Sequence, residues 1–241
     1  MHKVLVTGAA GYLASNLTNL LKDMDCQIVR LGRPGTTFLP VEGAATVEDI
    51  TGDIRESTTW ERALSGVDTV FHLVAQTSAY VANENPDADL EINVLPMLHL
   101  LETCRKSDCQ PNVLFAGTVT EAGIPQSIPV DETHLDRPIT IYDVHKLMAE
   151  NYLKYYCSQG AVRGATLRLA NVYGPGPSSR RDRGVLNQMV RKALKGETLI
   201  IYGQGDHLRD YIYVDEVVEA FLLAAKNIEH INGQYFVIGS G

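Results

Sequence analysis

Cysteine is scarce in this chain: Cys26, Cys104, Cys109 and Cys157 among 241 residues, with no Cys-x-x-Cys pair. That argues against a disulfide scaffold or a thiolate zinc site and predicts a reduced, intracellular protein. Long hydrophobic runs are also missing. None approaches the roughly 18 residues that span a bilayer, so no membrane association is expected. The opening "MHKVLVTG" enters a strand pattern at once, which leaves no room for a signal peptide. Basic residues are outnumbered, 21 against 29 acidic for a net charge of −8, and no basic block stands out. Nucleic acid is therefore not an expected partner, although a small anion can still be held by local geometry. Asp206 and His207 share a loop but are too few for a metal site, so no metal is expected. There are no internal repeats and no low-complexity segment.

What is present reads as an ordinary soluble domain, 45% hydrophobic and 21% charged. Short apolar runs alternate with helical patterns. "KVLVTG", "CQIVRL", a short run in "ATVEDITGD", "VDTVFHLVA", "NVLFAG" and "GATLRLA" read as six strands. Helices are expected from Gly11 to Lys22, over "ESTTWERALSG", from about Asp87 to Lys106 and from Tyr142 to Ser158. Such alternation predicts a parallel sheet covered on both faces, a doubly wound α/β nucleotide-binding fold. From residue 171 the texture changes. "NVYGPGPSSRRDRG" reads as a loop leaving the main sheet, followed by helices at 185–195 and 215–226. Residues 1–172 and about 213–241 are expected to form the dinucleotide-binding core, and 173–212 a small substrate subdomain.

"VTGAAGYLAS" joins the first strand to the first helix. Gly8 permits the tight turn, Gly11 lets backbone approach a pyrophosphate, and small Ala14 lets the helix pack close to the strand. The helix N-terminus adds free N–H groups and partial positive charge. A tight turn that binds nothing has the same local pattern. Where a carboxylate would receive a free ribose 2'-hydroxyl, the chain has Gly32, followed by Arg33 with Arg30 nearby. Arginine there can pair with a 2'-phosphate, which favours NADP over NAD; solvated surface charge is the alternative. Asp53 in "TGDIRE" is placed to accept from an adenine amino group, or to cap the next helix. Ala75 in "HLVAQTS" is small enough for backbone to lie against a cofactor.

Tyr142 and Lys146 in "TIYDVHKLMAE" are four apart, one turn along one helix face. An ammonium beside a phenol favours the phenolate, which predicts a lowered Tyr142 pKa and a general base near neutral pH. Thr118 ends the fifth strand, and its hydroxyl could bond a reacting alcohol or carbonyl. His145 falls on another helix face, as surface or packing rather than as an acid. Tyr152, Tyr155 and Tyr156 pack or face a partner.

Together with "FHLVAQ", "EINVLPMLHLLETC", "LRLANVYGPG" and "RDYIYVDEVVEAF", these motifs resemble the extended short-chain dehydrogenase/reductases, the NAD(P)-dependent sugar epimerase/dehydratase group. The resemblance covers essentially the whole chain and implies a Rossmann fold with a substrate subdomain that is incomplete here, since relatives continue further. It implies catalytic Thr118, Tyr142 and Lys146. The implied cofactor set is Gly8, Gly11, Tyr12, Leu13, Arg33, Asp53, Ile54, Leu73, Ala75 and Asn93, with Tyr142 and Lys146. The implied substrate set is Gln76, Thr118, Asn171 and Arg209, the last on the diphosphate of a nucleotide sugar. It also implies a cytoplasmic homodimer formed through helices 87–106 and 142–158.

The family pattern is not followed throughout. Pro96 stands inside a helical pattern and should kink it. Val119 and Thr120 occupy the places where dehydratase relatives carry carboxylates, and Glu121 is one residue too far, which ranks dehydration low. A C4 epimerase is the preferred reading, with NADPH-dependent reduction of a 4-keto sugar as the alternative. A non-catalytic dinucleotide-binding regulator is the second alternative, disfavoured because Tyr142 and Lys146 are both present.

Overall fold

The first strand already shows how the molecule is layered. In β1 (Lys3–Thr7), Val4 and Val6 pack on one face of the sheet and Leu5 on the other, and all three are fully buried. Alternating side chains that are apolar on both faces require cover on both sides. The computed structural model describes residues 1–107, 110–176, 184–201, 203–206 and 208–241. After β1 come α1 (Tyr12–Leu21), β2 (Gln27–Gly32), β3 (Thr46–Thr51), α2 (Ser57–Ala63) and β4 (Thr69–His72). Then follow α3 (Ala79–Glu84), α4 (Pro86–Asn93), α5 (Leu95–Lys106), β5 (Asn112–Thr118), α6 (Ile141–Ser158) and β6 (Arg163–Leu169). The chain continues through β7 (Asn171–Tyr173), α7 (Val185–Leu194), β8 (Tyr211–Tyr213), α8 (Val214–Lys226), α9 (Ile228–Ile231) and β9 (Tyr235–Ile238).

The main sheet has the order β3-β2-β1-β4-β5-β6-β9, and every pairing is parallel. The order reverses between β1 and β4, the place where doubly wound sheets open a ligand crevice at the carboxyl ends of the strands. One face is covered by α1 and α8, with Leu17, Leu21, Val217 and Phe221 buried against Val4, Val6 and Phe71. The other is covered by α2, α5 and α6, with Trp60, Met97, Leu101 and Leu153 against Leu5, Val29 and Phe115. β7 and β8 pair separately in a small parallel sheet. Among the described residues, no helix is long and apolar enough to cross a membrane.

Two expectations change. The helix predicted over 87–106 is two helices, broken at Val94 (φ −111°, ψ −56°). Pro96 in the first turn of α5 lacks an N–H and its ring crowds the carbonyl four residues back, so the two helices meet at an angle-bearing residue. The short α3 was not foreseen. Cys109, His207 and most of the run 178–184 lie outside the described residues.

Candidate active site

The candidate residues line up along one edge of the sheet because each follows the end of a parallel strand. From one side to the other they are Asp53 after β3, Arg33 after β2, Gly8 after β1, Leu73 and Ala75 after β4, Thr118 at the end of β5 and Asn171 after β6. Below this edge a cleft of about 740 Å³ is lined by Gly11, Tyr12 and Leu13 at one wall and by Thr118, Tyr142 and Lys146 at the other. Leu73, Ala75 and Asn171 also line it.

The glycine turn has the geometry that a dinucleotide needs. Gly8 sits at φ +64°, and a Cβ there would stand 2.8 Å from Val74 Cα. Thr7 pins that approach by accepting from the Leu73 and Val74 N–H groups at 3.0 and 3.2 Å. Gly11 caps α1 with no side-chain hydrogen bond, so the helix N–H groups face the cleft. The Tyr12 hydroxyl is buried without a partner, and burial, with Tyr213 and Asp215 adding, pushes its pKa up to about 12. Gly176 lies against the Tyr12 ring, where a Cβ would come within 2.5 Å. Asn16 donates to the Pro175 carbonyl at 3.1 Å, seating the 174–176 segment over the start of α1. A cradle closed to side chains, bare helix N–H groups and an unpartnered hydroxyl fit a bound dinucleotide.

At the second strand, Arg30 is not available to a 2'-phosphate. It is buried and bidentate to Asp49 at 2.7 and 2.8 Å, donates to the Leu39 carbonyl and lies over Phe38. Arg33 is exposed. A Cβ on Gly32 would stand 2.9 Å from both Thr36 and Phe38, so a carboxylate has no room there without displacing them. Asp53 is held by Arg55, which lowers its pKa and is itself paired with Glu91 at 2.8 Å.

At the reacting end the environment is buried and charged. Tyr142 and Lys146 share one face of α6, and Tyr142 lines the cleft together with Thr118. The predicted lowering of the Tyr142 pKa is reversed. Burial raises it well above the usual phenol value, the carboxylates of Glu121, Asp143 and Asp89 raise it further, and only Thr118 acts downward. Lys146 is 2% exposed, with Nζ 4.0 Å above the centre of the Phe115 ring. Burial brings its pKa down to about 8 against the opposing pull of Glu121, Asp89 and Glu150. Spacing on a helix shows that two groups are neighbours but not how much solvent they lose, and desolvation outweighs the ammonium here.

Glu121 turns away from the cleft. It is fully buried, accepts from the Thr118 N–H at 3.1 Å and faces Arg168 Nε at 3.0 Å. Arg168 also holds Glu150 and Asp136, both at 2.6 Å, and stacks 3.6 Å from the centre of Tyr235. Burial and the nearby Glu150 push Glu121 up to about 8, opposed by Arg168.

Gln76 and Asn93 do not line the cleft. The Gln76 amide donates to Asp89 and to the Ser78 carbonyl, both at 2.8 Å, while Asn93 exchanges hydrogen bonds with the Gln76 backbone. Asn93 and His145 also bind Asp89, at 2.9 and 2.8 Å. These side chains brace the loop after β4 against α4 and α6. His145 is thus a packed residue hydrogen-bonded to Asp89 rather than a surface one. Arg209 is exposed, donates to its neighbour's carbonyl and does not line the cleft, whereas Arg191 of α7 does. Thr120, Asp143, Glu121 and Asp89 were not identified from the sequence as parts of the site; Asp143 forms a capping box with Thr140 at the start of α6.

A model of the NAD dependent epimerase/dehydratase family matches residues 4–239. The chain is 33% identical to a putative UDP-glucose 4-epimerase of Methanocaldococcus jannaschii, covering 92% of this chain and 72% of that one. Among solved structures it resembles a UDP-glucose 4-epimerase from Thermotoga maritima with UDP-glucose (TM-score 0.87, 30% identity, 98% and 76% covered). It also resembles one from Thermus thermophilus in complex with NAD (TM-score 0.84, 29% identity, 99% and 78% covered).

Proposed function

The chain belongs to the NAD dependent epimerase/dehydratase family, and within it we propose that this protein is a nucleotide-sugar 4-epimerase. The observation that carries the reading is the meeting of Thr118, Tyr142 and Lys146 on one wall of a cleft whose opposite wall is the uncapped start of α1. Gly8, Gly11, Tyr12 and Leu13 hold the dinucleotide at its pyrophosphate, Asp53 and Ile54 at its adenine end, and Ala75 and Lys146 at its nicotinamide end. Bound there, the nicotinamide supplies the hydride acceptor and donor, and its positive charge offsets the burial that raises Tyr142. Tyr142 takes the proton of the sugar hydroxyl, and Thr118 orients the reacting oxygen. Lys146 supplies a positive charge from a buried position on the cleft wall, where it stabilises negative charge on oxygen.

Residues 173–212 form the sugar-binding subdomain in this reading, with Asn171 at its root and Arg191 a cation that lines the cleft. Arg209 remains a candidate for the diphosphate. The enzyme is cytoplasmic and homodimeric. Val144, Met148 and Tyr155 present an exposed apolar stripe on α6 that a second copy would cover. Size-exclusion chromatography at micromolar concentration tests that, and a monomer would contradict it.

For the cofactor, NAD is the species in the resembling Thermus complex. The exposed Arg33 beside a Gly32 that excludes a carboxylate favours NADP, and with it a second reading, an NADPH-dependent reductase of a 4-keto sugar. Heat-denaturing the purified protein and identifying the released nucleotide separates the two. Stoichiometric NAD supports an epimerase that retains its cofactor; an empty protein that prefers NADPH supports the reductase.

A further inference from the structure

Glu121 is a buried carboxyl that the proposed chemistry does not use. Its side chain is fully covered, and its Oε1 accepts from the Thr118 N–H at 3.1 Å, while Thr118 itself lines the cleft. Its Oε2 lies 3.0 Å from Arg168 Nε. The Nε hydrogen points instead to Glu150 Oε2, also at 3.0 Å, so Glu121 Oε2 has an ionic neighbour and no hydrogen bond. Glu150 takes a second guanidinium donor at 2.6 Å, and Asp136 takes two, at 2.6 and 3.0 Å. One guanidinium on β6 thus faces three carboxyl groups, from the turn after β5, the loop before α6 and α6 itself. Gly117, opposite Arg168 in the β5–β6 pairing, leaves room for them: a Cβ there would stand 3.1 Å from Arg168 Cγ and 3.4 Å from Glu121 Oε1.

This surrounding decides the form of Glu121. Two carboxylates already outweigh the single positive charge of Arg168. Burial and Glu150 push the Glu121 pKa up to about 8, against the pull of Arg168. At neutral pH Glu121 is therefore mainly the neutral acid, with its carbonyl oxygen on the Thr118 N–H. A glutamate at this offset also completes a capping box on the short helical turn Val119–Ala122. Capping alone needs only an acceptor at the start of the turn, and a solvated one serves. Here the acceptor is anchored beside Arg168, which through Glu150 also grips α6, four residues past Lys146 and eight past Tyr142.

We propose that Glu121 is a positioning residue: by tying the Thr118 backbone to Arg168, which also holds α6 through Glu150, it sets the Thr118 hydroxyl in register with Tyr142 and Lys146. This rests on Thr118 and Tyr142 being reacting groups, which the epimerase and reductase readings share. Glu121 passes no proton and touches no substrate. Thr118 ends a strand and Tyr142 opens a helix, and the 23 residues between them include a long loop. Arg168 is the group that both segments share, one through Glu121 and the other through Glu150. Without the Glu121 acceptor the Thr118 N–H loses its partner, and the strand end is free to shift against α6. A misplacement of about 1 Å at a reacting group can cost about 100-fold in rate.

The experiment compares Glu121→Gln, which imitates the neutral acid and keeps an oxygen for the Thr118 N–H, with Glu121→Leu, which removes that acceptor. Both are also made in a Thr118→Ala background. The probe is UDP-galactose, or NADPH with a 4-keto sugar if the protein is a reductase. In Glu121→Leu kcat falls about 10- to 100-fold at little change in KM, and Glu121→Gln stays within about threefold of wild type. In the Thr118→Ala background Glu121→Leu costs no more than about twofold further, because no hydroxyl is left to place. Equal losses in the two backgrounds overturn the proposal, as does a Glu121→Gln variant as impaired as Glu121→Leu. If Glu121→Leu fails to fold, Glu121→Asp, a methylene too short to reach the Thr118 N–H, must show the same loss of kcat. A second readout needs no turnover. In 15N-threonine-labelled protein, with the Thr118 signal assigned by its loss in Thr118→Ala, the Thr118 amide should exchange with solvent about tenfold or more faster in Glu121→Leu and at the wild-type rate in Glu121→Gln. Should the wild type turn over neither substrate, the reading of the reacting groups falls. The amide then decides alone, and unchanged exchange in Glu121→Leu overturns the hold of Glu121 on Thr118.

Discussion

The two ends of the cleft are built from different material. The glycine-turn end is shaped by backbone: Gly8 in a left-handed conformation against Val74 and a bare helix start at Gly11, with the exposed Arg33 after the neighbouring strand. The Tyr142 end is shaped by buried side chains: Lys146, Glu121, Asp143 and Asp89 are each almost fully covered, and burial, with Glu121, Asp143 and Asp89 adding, raises the Tyr142 pKa. One end is a shape that admits a phosphate. The other is an electrostatic balance in which burial opposes ionisation and neighbours decide the outcome.

Substitutions at the two ends should therefore fail differently. The largest effect is expected at Tyr142. Tyr142→Phe should lower kcat by roughly 10²–10⁴-fold while dinucleotide binding, followed by fluorescence titration, stays near wild type. A variant that kept most of its turnover would remove Tyr142 from the proton path. Gly8→Ala should show the reverse pattern. With φ at +64° and 2.8 Å of clearance, the methyl group strains the turn, weakens dinucleotide binding by about tenfold or more and lowers the melting temperature. Unchanged affinity in isothermal titration would mean that the turn does not hold the pyrophosphate.

Arg33→Ser should raise Kd for NADP about tenfold and leave NAD unchanged, the loss of one charge-assisted contact. Equal shifts for both dinucleotides would make Arg33 a surface charge.

A different kind of effect is expected on stability beneath the reacting end. His72 is buried between Trp60 and Phe115, and burial first, then Lys146, takes its pKa down to about 3. Between about pH 3 and 6.5 the unfolded chain binds a proton there that the folded protein does not, so this group costs stability as pH falls through that window. Each pH unit below 6.5 removes up to about 1.4 kcal/mol. His72→Phe should flatten the fall in melting temperature between pH 7 and pH 5, and an unaltered slope would show that His72 takes up its proton without unfolding.

The same division decides what could be read from the sequence. The parallel sheet, the glycine turn and the Thr118–Tyr142–Lys146 set were legible, because each is written in local patterns: strand runs, small residues at fixed offsets, two side chains one helical turn apart. The break at Val94 was legible in part, through Pro96. Arg30 was misread because its partner, Asp49, lies across a strand pairing that only the fold brings about. The roles of Gln76 and Asn93 were misread for the same reason, since Asp89 gathers them from another element. The direction of the Tyr142 shift was lost because desolvation has no sequence signal. Glu121 lies 21 residues and Asp89 53 residues from Tyr142 along the chain, yet both act on it.

The most direct test of the central claim is to incubate the purified protein with UDP-galactose, with no added cofactor, and to resolve the products by ion-exchange chromatography. Conversion to the C4 epimer, UDP-glucose, with no net gain of reduced dinucleotide is the result predicted. Recovery of unchanged UDP-galactose across a panel of nucleotide sugars, together with NADPH-dependent consumption of a 4-keto sugar, would contradict it.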